Sequence, residues 1–362
     1  MKDSKTVMLV DIEREARSRL IAPTERTRPD GGPVMWGKFD RYPAYLYELY
    51  DNVTTLHSVI TGSVDIASGN AVECPVAPWR GRMNATGQTA RDMVRRLAFD
   101  LLLYGGFALH VIRNRAGGIA EVEEIDLRNL RSDEDNEVFY YSEKWGRSLA
   151  DAIAWPKYVP HFTAAEQPEG LYFFKDTARG VYPVPPYAAA VKACEMERCI
   201  DDYHLASIQN GFAGSVIVNF NNGETPTEDQ KKEISRRMRD NYAGASNAGK
   251  MLFSWNPSKA NATTIDSFPV QDFGEKYQAL AKHSRQQIFN AFRCNGNIFG
   301  ITTESLGFSS EEYDSAFRLY NRTQIRPIQR AIVDAFEYIF SAEGALRITP
   351  YSLDEDLNEG TL

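Results

Sequence analysis

Cysteine, histidine and positive charge are all scarce in this chain, and each shortage excludes a class of function. The four cysteines, Cys74, Cys194, Cys199 and Cys294, include no C-x-x-C pair, so the spacing of a zinc site or dithiol centre is missing. Their apolar neighbours predict reduced, buried thiols. The five histidines, His57, His110, His161, His204 and His283, are scattered. No H-E-x-x-H and no nearby carboxylate pairing accompanies them, so packed or surface histidines are expected and a zinc or hydrolase site is not. Lys and Arg total 41 against 49 Asp and Glu, a net charge of −8. Gripping nucleic acid electrostatically rests on Lys and Arg neutralising phosphates; an acidic chain can touch DNA without holding it.

Long hydrophobic runs are missing as well. Val7–Val10 is too short for a signal peptide, and Leu97–Ile112 is broken by Asp100, Gly105, Gly106 and His110, which predicts a protein neither secreted nor embedded in a membrane. No G-x-S-x-G elbow and no G-x-G-x-x-G fingerprint occurs. Gly244-Ala-Ser-Asn-Ala-Gly249-Lys250 satisfies the first part of a P-loop, but Met251 follows where a Ser or Thr should hold magnesium. The order is also reversed: a helix precedes and a strand follows, whereas phosphate binding needs a helix N-terminus after the loop. The segment reads as a glycine-rich turn into a strand. The acidic run Glu121, Glu123, Glu124 and Asp126, with Asp133–Asp135, offers no fixed ligand geometry and predicts a solvated hairpin edge.

What is present is an ordinary globular composition, 43% hydrophobic and 25% charged, which supports two or more substructures with cores of their own. The pattern is α+β. Residues 1–41 mix charge with Pro23, Pro29, Pro33 and Gly31-Gly32 and predict a flexible or partner-bound arm. One helix is expected over Pro43–Ala67 and a second over Gln88–Leu103. Phe107–Arg113 and Ile119–Ile125 flank a turn at Asn114–Gly118 and predict a hairpin, with a further short strand at Val138–Tyr141. Tyr158–Tyr182, rich in aromatics and turn residues, leads out of this region.

Two long helices follow. The first is expected over Pro186–Asn210 with the Pro185-Pro186 pair in its first turn, and the second over Phe273–Arg293; each would be about 30–40 Å long at 1.5 Å per residue. The first is apolar on two sides, Val191, Cys194, Leu205 and Phe212 against Met196, Ile200 and Tyr203, a pattern that calls for cover on both. The second places Phe273, Tyr277, Leu280, Ser284, Ile288 and Phe292 on one face and Glu275, Lys282, Gln286 and Arg293 on the other. Between them lies a small insert: a strand at Ser215–Phe220, a helix opened by the capping box Thr225–Glu228, and strands at Met251–Trp255 and Thr263–Ser267. The insert helix carries Lys231, Lys232, Arg236, Arg237 and Arg239, either a solvated face or a docking surface. The loop Asn295–Ser310 has Glu304 as its only charge, and a long helix interrupted by Pro327 closes the pattern.

This order of parts resembles the portal proteins of tailed bacteriophages over about Tyr42–Ile348. Leu101-Leu-Leu-Tyr-Gly-Gly-Phe-Ala-Leu-His110 is similar to the family's apolar helix-to-strand step. Tyr182-Pro-Val-Pro-Pro-Tyr187 stands where the family opens its stem helix. Ile208-Gln-Asn-Gly-Phe212, the capped helix and Asn247–Lys250 resemble the passage into and across the clip. Ile288-Phe-Asn-Ala-Phe292 through Gly300 resembles the second stem helix running into the tunnel loop, and Thr323-Gln-Ile-Arg-Pro327 with Ile328–Phe340 the Pro-kinked helix that ends the core. The family commonly has Pro where this chain has Asn297, and the acidic tail leaves little room for a crown.

The resemblance implies a portal fold: arm 1–41, α/β wing 42–184, stem helix 185–212, small α/β clip 213–269, stem helix 270–295, tunnel loop 296–310, kinked helix 311–345 and tail 346–362. It also implies a non-enzymatic ring, usually of twelve subunits, at the capsid vertex of a virion assembled in the host cytoplasm. Double-stranded DNA would pass through it, held weakly and without sequence preference. The expected partners are terminase, adaptor or head-completion, scaffold and major capsid proteins, with no cofactor, metal or membrane. The tunnel-loop residues Asn297, Thr302, Thr303, Glu304, Ser305 and Leu306 would lie nearest DNA; Lys282, Gln286 and Arg293 would face the channel; Lys231, Lys232, Arg236, Arg237 and Arg239 would dock partners. The alternatives are a nucleotide-binding enzyme using Gly244–Lys250 and a non-viral ring-forming scaffold.

Overall fold

The computed structural model describes residues 20–28, 32–79, 81–145, 151–177, 180–209, 216–220, 227, 229, 233, 251–255, 273–300 and 310–352. The chain divides into one unit of residues 1–195 with 287–362 and a second of residues 196–286.

The first unit is organised around a helix-to-strand step. Helix α3, Ala90–Tyr104, begins at a capping box: the Asp92 N–H donates to Thr89 Oγ1 (3.0 Å) and the Thr89 N–H to Asp92 Oδ2 (3.0 Å). The exchange satisfies two donors that a helix start leaves open. The helix stops at Gly105, φ 84°. A β-carbon there would sit 2.1 Å from the Val184 carbonyl oxygen, so both the left-handed backbone and the close approach require glycine. Strand β4, Gly106–Arg113, leaves at once and runs between β5, Ile119–Glu124, and β9, Glu169–Lys175, both antiparallel to it. Leu101–Tyr104 and Phe107–Leu109 are buried along this step.

Several expectations are corrected here. The single helix over Pro43–Ala67 is two, α1 (Tyr42–Asn52) and α2 (Thr54–Ala67), parted at extended Val53. Three β-branched residues in a row, Val53-Thr54-Thr55, disfavour helix, and the break lets the Val53 side chain bury to 1% exposure. Strand β9 occupies the segment expected to be a turn-rich exit; its run Leu171–Phe174 lacks period-2 alternation because neighbouring residues find apolar partners in different places, Phe173 against Phe139 and Phe174 against Phe107. A second sheet, β6 (Leu130–Ser132), β7 (Val138–Tyr141) and β8 (Ile153–Pro156), adds two short strands that the pattern did not single out.

The described part of the expected arm, residues 20–28 and 32–41, is built into the fold. Strands β1 (Glu25–Arg26) and β2 (Met35–Trp36) pair antiparallel, and Trp36 is buried in a stack on Tyr182 with ring centroids 4.4 Å apart. Asp40 and Arg131, both buried, meet at 2.6 Å. Farther along, Pro185 and Pro186 lie ahead of the helix and not in its first turn: a 3-10 turn at Ala188–Ala190 precedes α4, Val191–Gln209. The extended Val184–Pro185 segment is engaged against Gly105 instead.

Helix α5 runs Phe273–Ala291. Helix α6, Ser310–Tyr320, continues through a π-helical turn, Asn321–Ile325, into α7, Arg326–Phe340. Pro327 supplies no N–H to the carbonyl four residues earlier and its ring crowds that carbonyl, so the helix widens just before it. Strand β12, Arg347–Thr349, pairs with β3, Ala71–Glu73. Of the thiols, Cys194 is buried, Cys74 and Cys294 are half-buried and Cys199 is exposed, against the expectation of four buried ones.

In the second unit, β10 (Val216–Phe220) and β11 (Met251–Trp255) pair in parallel from Val216 opposite Met251. Parallel neighbours require a crossover connection. Because β11 begins at Met251, Gly244–Lys250 leads into a strand, the reverse of the order phosphate binding needs. Tyr203 and Tyr277 stack at 4.8 Å. The capping box, the basic run Lys231, Lys232, Arg236, Arg237 and Arg239, and the strand expected at Thr263–Ser267 lie outside the described residues.

Candidate functional site

The segment expected to face DNA begins in a 3-10 turn, Gly296–Phe299, that ends at Gly300. Asn295 caps it, its Oδ1 accepting the Asn297 N–H at 3.2 Å. Asn297 is therefore fixed in a short turn. Thr302, Thr303, Glu304, Ser305 and Leu306 lie outside the described residues.

Both sides of that segment are seated on one turn of α2. Ahead of it, Phe299 lies against Gly62, where an added β-carbon would fall 2.5 Å from the ring. After it, the Tyr320 hydroxyl meets Ser63 Oγ at 2.7 Å, and Phe299 and Tyr320 stand edge to face with centroids 5.8 Å apart. Ser63 is fully buried and its own O–H donates to the Val59 carbonyl, so the Tyr320 hydroxyl is the donor in this contact and finds its buried partner there. Burial raises the Tyr320 phenol well above its ordinary range, with the Ser63 hydrogen bond pulling against it. Beside the junction lies a cavity of about 230 Å³ lined by Gly62, Asp65, Ile66, Phe299, Tyr313 and Phe317 among others.

On α5, Ser284, Ile288, Phe289 and Phe292 are buried, whereas Lys282 and Gln286 are exposed. Leu280, expected on the packing face, is 43% exposed. Arg293 does not continue the Lys282–Gln286 face. It sits past the helix end at φ 52°, where its N–H donates to the Asn290 carbonyl (3.1 Å) and the Cys294 N–H to that of Phe289 (3.1 Å). This is a Schellman closure with arginine in the position glycine usually holds. Cys294 is no reactive nucleophile, since burial pushes its thiol up to about 12.

Two polar clusters escaped the sequence. His110, 6% exposed, holds Glu169 at 2.9 Å through Nε2, has Glu123 3.8 Å from Nδ1, and stacks on Trp155 at 4.4 Å. Partners on two neighbouring strands give no local spacing to detect. The acidic run is engaged over Glu121–Asp126, where Glu124 accepts from Arg96 (3.2 Å), Asp126 chelates Arg128 (2.6 and 2.8 Å), and Glu121 caps the Ala85 N–H (3.1 Å), while Glu134 and Asp135 are exposed as the solvated-edge expectation has it. Near them Asp100 is fully enclosed, and burial, then the Glu124 and Asp126 charges, hold its carboxyl well above the usual carboxylate range. Nothing in either cluster is a nucleophile activated by a base.

Comparison with known proteins gives the fold its class. A structure described as the virion of a native gene transfer agent particle matches with a TM-score of 0.56 and 18% identity, over 91% of this chain and 87% of that chain. The neck of the native particle, computed with C12 symmetry, matches at 0.52 and 18% over 92% and 87%. The neck of the empty particle, computed with C6 symmetry, matches at 0.54 and 16% over 90% and 87%. No curated protein matches the chain. The phage portal protein family matches residues 79–358, most of the sequence, and the chain belongs to that family. Its place is accordingly the portal of a capsid.

Proposed function

We propose that this chain forms a closed ring, of twelve copies, through which double-stranded DNA enters and leaves a phage capsid. The observation that carries the reading is the family match across residues 79–358, which spans both long helices, the insert, the segment after Gly300 and the Pro327 helix. The C12 and C6 symmetries of the similar neck structures support a ring of this order. In this reading residues 42–184 are the wing, α4 and α5 are the stem, β10 and β11 belong to the clip, and 296–310 is the tunnel loop. The ring is structural and hydrolyses nothing; a separate terminase docks on Lys231, Lys232, Arg236, Arg237 and Arg239, and adaptor, scaffold and major capsid proteins complete the vertex assembled in the host cytoplasm.

The charge balance suits a passage. A chain of net charge −8 whose loop has Glu304 as its only charge gains little from counterion release and lets phosphates slide. Lys282, Gln286 and Arg293 supply at most transient contacts along the channel. Particles assembled with an epitope-tagged chain test the reading: one labelled vertex per capsid is expected, and label spread over the shell or absent from it would refute it.

A further inference from the structure

Phe39 occupies a position that opposes it in two ways. Its backbone is left-handed, φ 59° and ψ 22°, and Asp40 beside it has φ 58°. Its ring is 77% exposed. Gly or Asn would suit both the conformation and the water better. The turn is nonetheless rigid, because its next residue is locked from below. The buried Asp40 carboxylate accepts from the Trp36 N–H (2.8 Å), Arg131 Nε (2.6 Å) and Arg28 (3.3 Å), and Arg131 also donates to the Asp40 carbonyl (3.0 Å). Strained, solvent-facing and firmly mounted, an aromatic side chain of this kind has the properties of an interface anchor whose ordering cost is already met.

We infer that Phe39 inserts into a second copy of this chain, at the cavity beside the Gly62–Phe299 contact. The inference rests on the ring reading. A ring needs a head-to-tail contact in which knob and socket are different surfaces, and the described residues contain both. The cavity, about 230 Å³ and lined by Ile66, Phe299, Tyr313 and Phe317, has room for a phenyl ring; an apolar cavity of about 150 Å³ takes up benzene. One charge on each side fits as well. Lys38, its ammonium 5.1 Å from the Phe39 ring, flanks the knob, whereas exposed Glu311 stands in the first turn of α6 near the socket residue Tyr313; Arg41 and Asp65 are engaged within the chain by Glu48 and Arg95.

Phe39→Asn separates this role from a structural one. The variant should raise the melting temperature of the isolated subunit by about 2 °C, since a residue tolerant of the left-handed region replaces a strained one. It should also raise the concentration needed for ring assembly by about tenfold, as loss of an anchor does. A lower melting temperature, or assembly at the wild-type concentration, would overturn the inference. In mixtures of isotopically light and heavy chains, a photo-reactive benzophenone side chain at position 39 should cross-link to peptides containing 296–299 or 311–320 of the other copy. Links confined to its own chain, or to another surface, would overturn it too. These failures leave the ring reading standing, whereas a wild-type chain that never assembles removes both.

Discussion

Phe299 rests on Gly62 at a distance that leaves no space for a methyl group: a β-carbon on Gly62 would lie 2.5 Å from the ring. Together with the Ser63–Tyr320 hydrogen bond at 2.7 Å, this seats both sides of 301–309 on one turn of α2.

Gly62→Ala should therefore displace Phe299, in spite of alanine's higher helix propensity. Overpacking of this kind costs about 1–3 kcal/mol. Thermal denaturation should show the loss, and Phe299→Ala in the same chain should relieve part of it. A Gly62→Ala chain more stable than wild type would show that the contact gives way freely.

Tyr320→Phe removes the hydroxyl that partners buried Ser63. The expected loss is about 1 kcal/mol; because phenylalanine keeps the ring, coupling across the ring contact is read from a double-mutant cycle of Tyr320→Leu with Phe299→Leu, which should be non-additive since the two rings touch. Additivity would mean that the two sides of the loop are anchored independently.

The Asp40–Arg131 pair, both under 10% exposed, should be intolerant of losing one member. Arg131→Met removes the close guanidinium and leaves the buried carboxylate with only the Trp36 N–H and the more distant Arg28, which should cost about 3–5 kcal/mol; Asp40→Asn with Arg131→Met should recover part of it. Chemical denaturation of the three variants decides the matter.

Asp100 predicts a pH dependence. Its carboxyl is held well above the ordinary value of 3.8 by burial, so the folded chain keeps a proton that the unfolded chain gives up. Stability from this group is full below pH 3.8 and falls as pH rises above it. Asp100→Asn, which mimics the protonated form, should match wild type near pH 4 and exceed its stability increasingly toward pH 7; the same difference at both pH values would contradict the assignment.

The parts of the fold visible in the sequence are those whose signals are local. The Thr89-x-x-Asp92 start of α3, the Asn114–Gly118 turn of the β4–β5 hairpin and the strand Val138–Tyr141 all carry their cues within a few residues. Strand β9 was hidden because consecutive aromatics, Phe173 against Phe139 and Phe174 against Phe107, leave it without alternation, and Val53 because a break in an apolar helical run leaves the periodicity intact. The anchoring of Phe299 on Gly62 and the Glu169 and Glu123 contacts of His110 were hidden for a different reason: their partners are remote in sequence. Arg293 was placed on a helix face that ends before it reaches that residue.

Deleting Thr302–Leu306 tests the loop assignment. The ring should form unchanged, while packaged or retained DNA falls by tenfold or more; normal packaging would show that another element faces DNA. Reversing charge at Arg236 and Arg237 should weaken terminase or adaptor binding and leave the melting temperature unchanged, whereas unfolding would make the cluster structural.

The most direct test of the whole account is electron microscopy of the purified protein at micromolar concentration, alone and with capsid and scaffold proteins. A closed ring of about twelve copies around a channel wide enough for duplex DNA is predicted. A stable monomer under both conditions would contradict it.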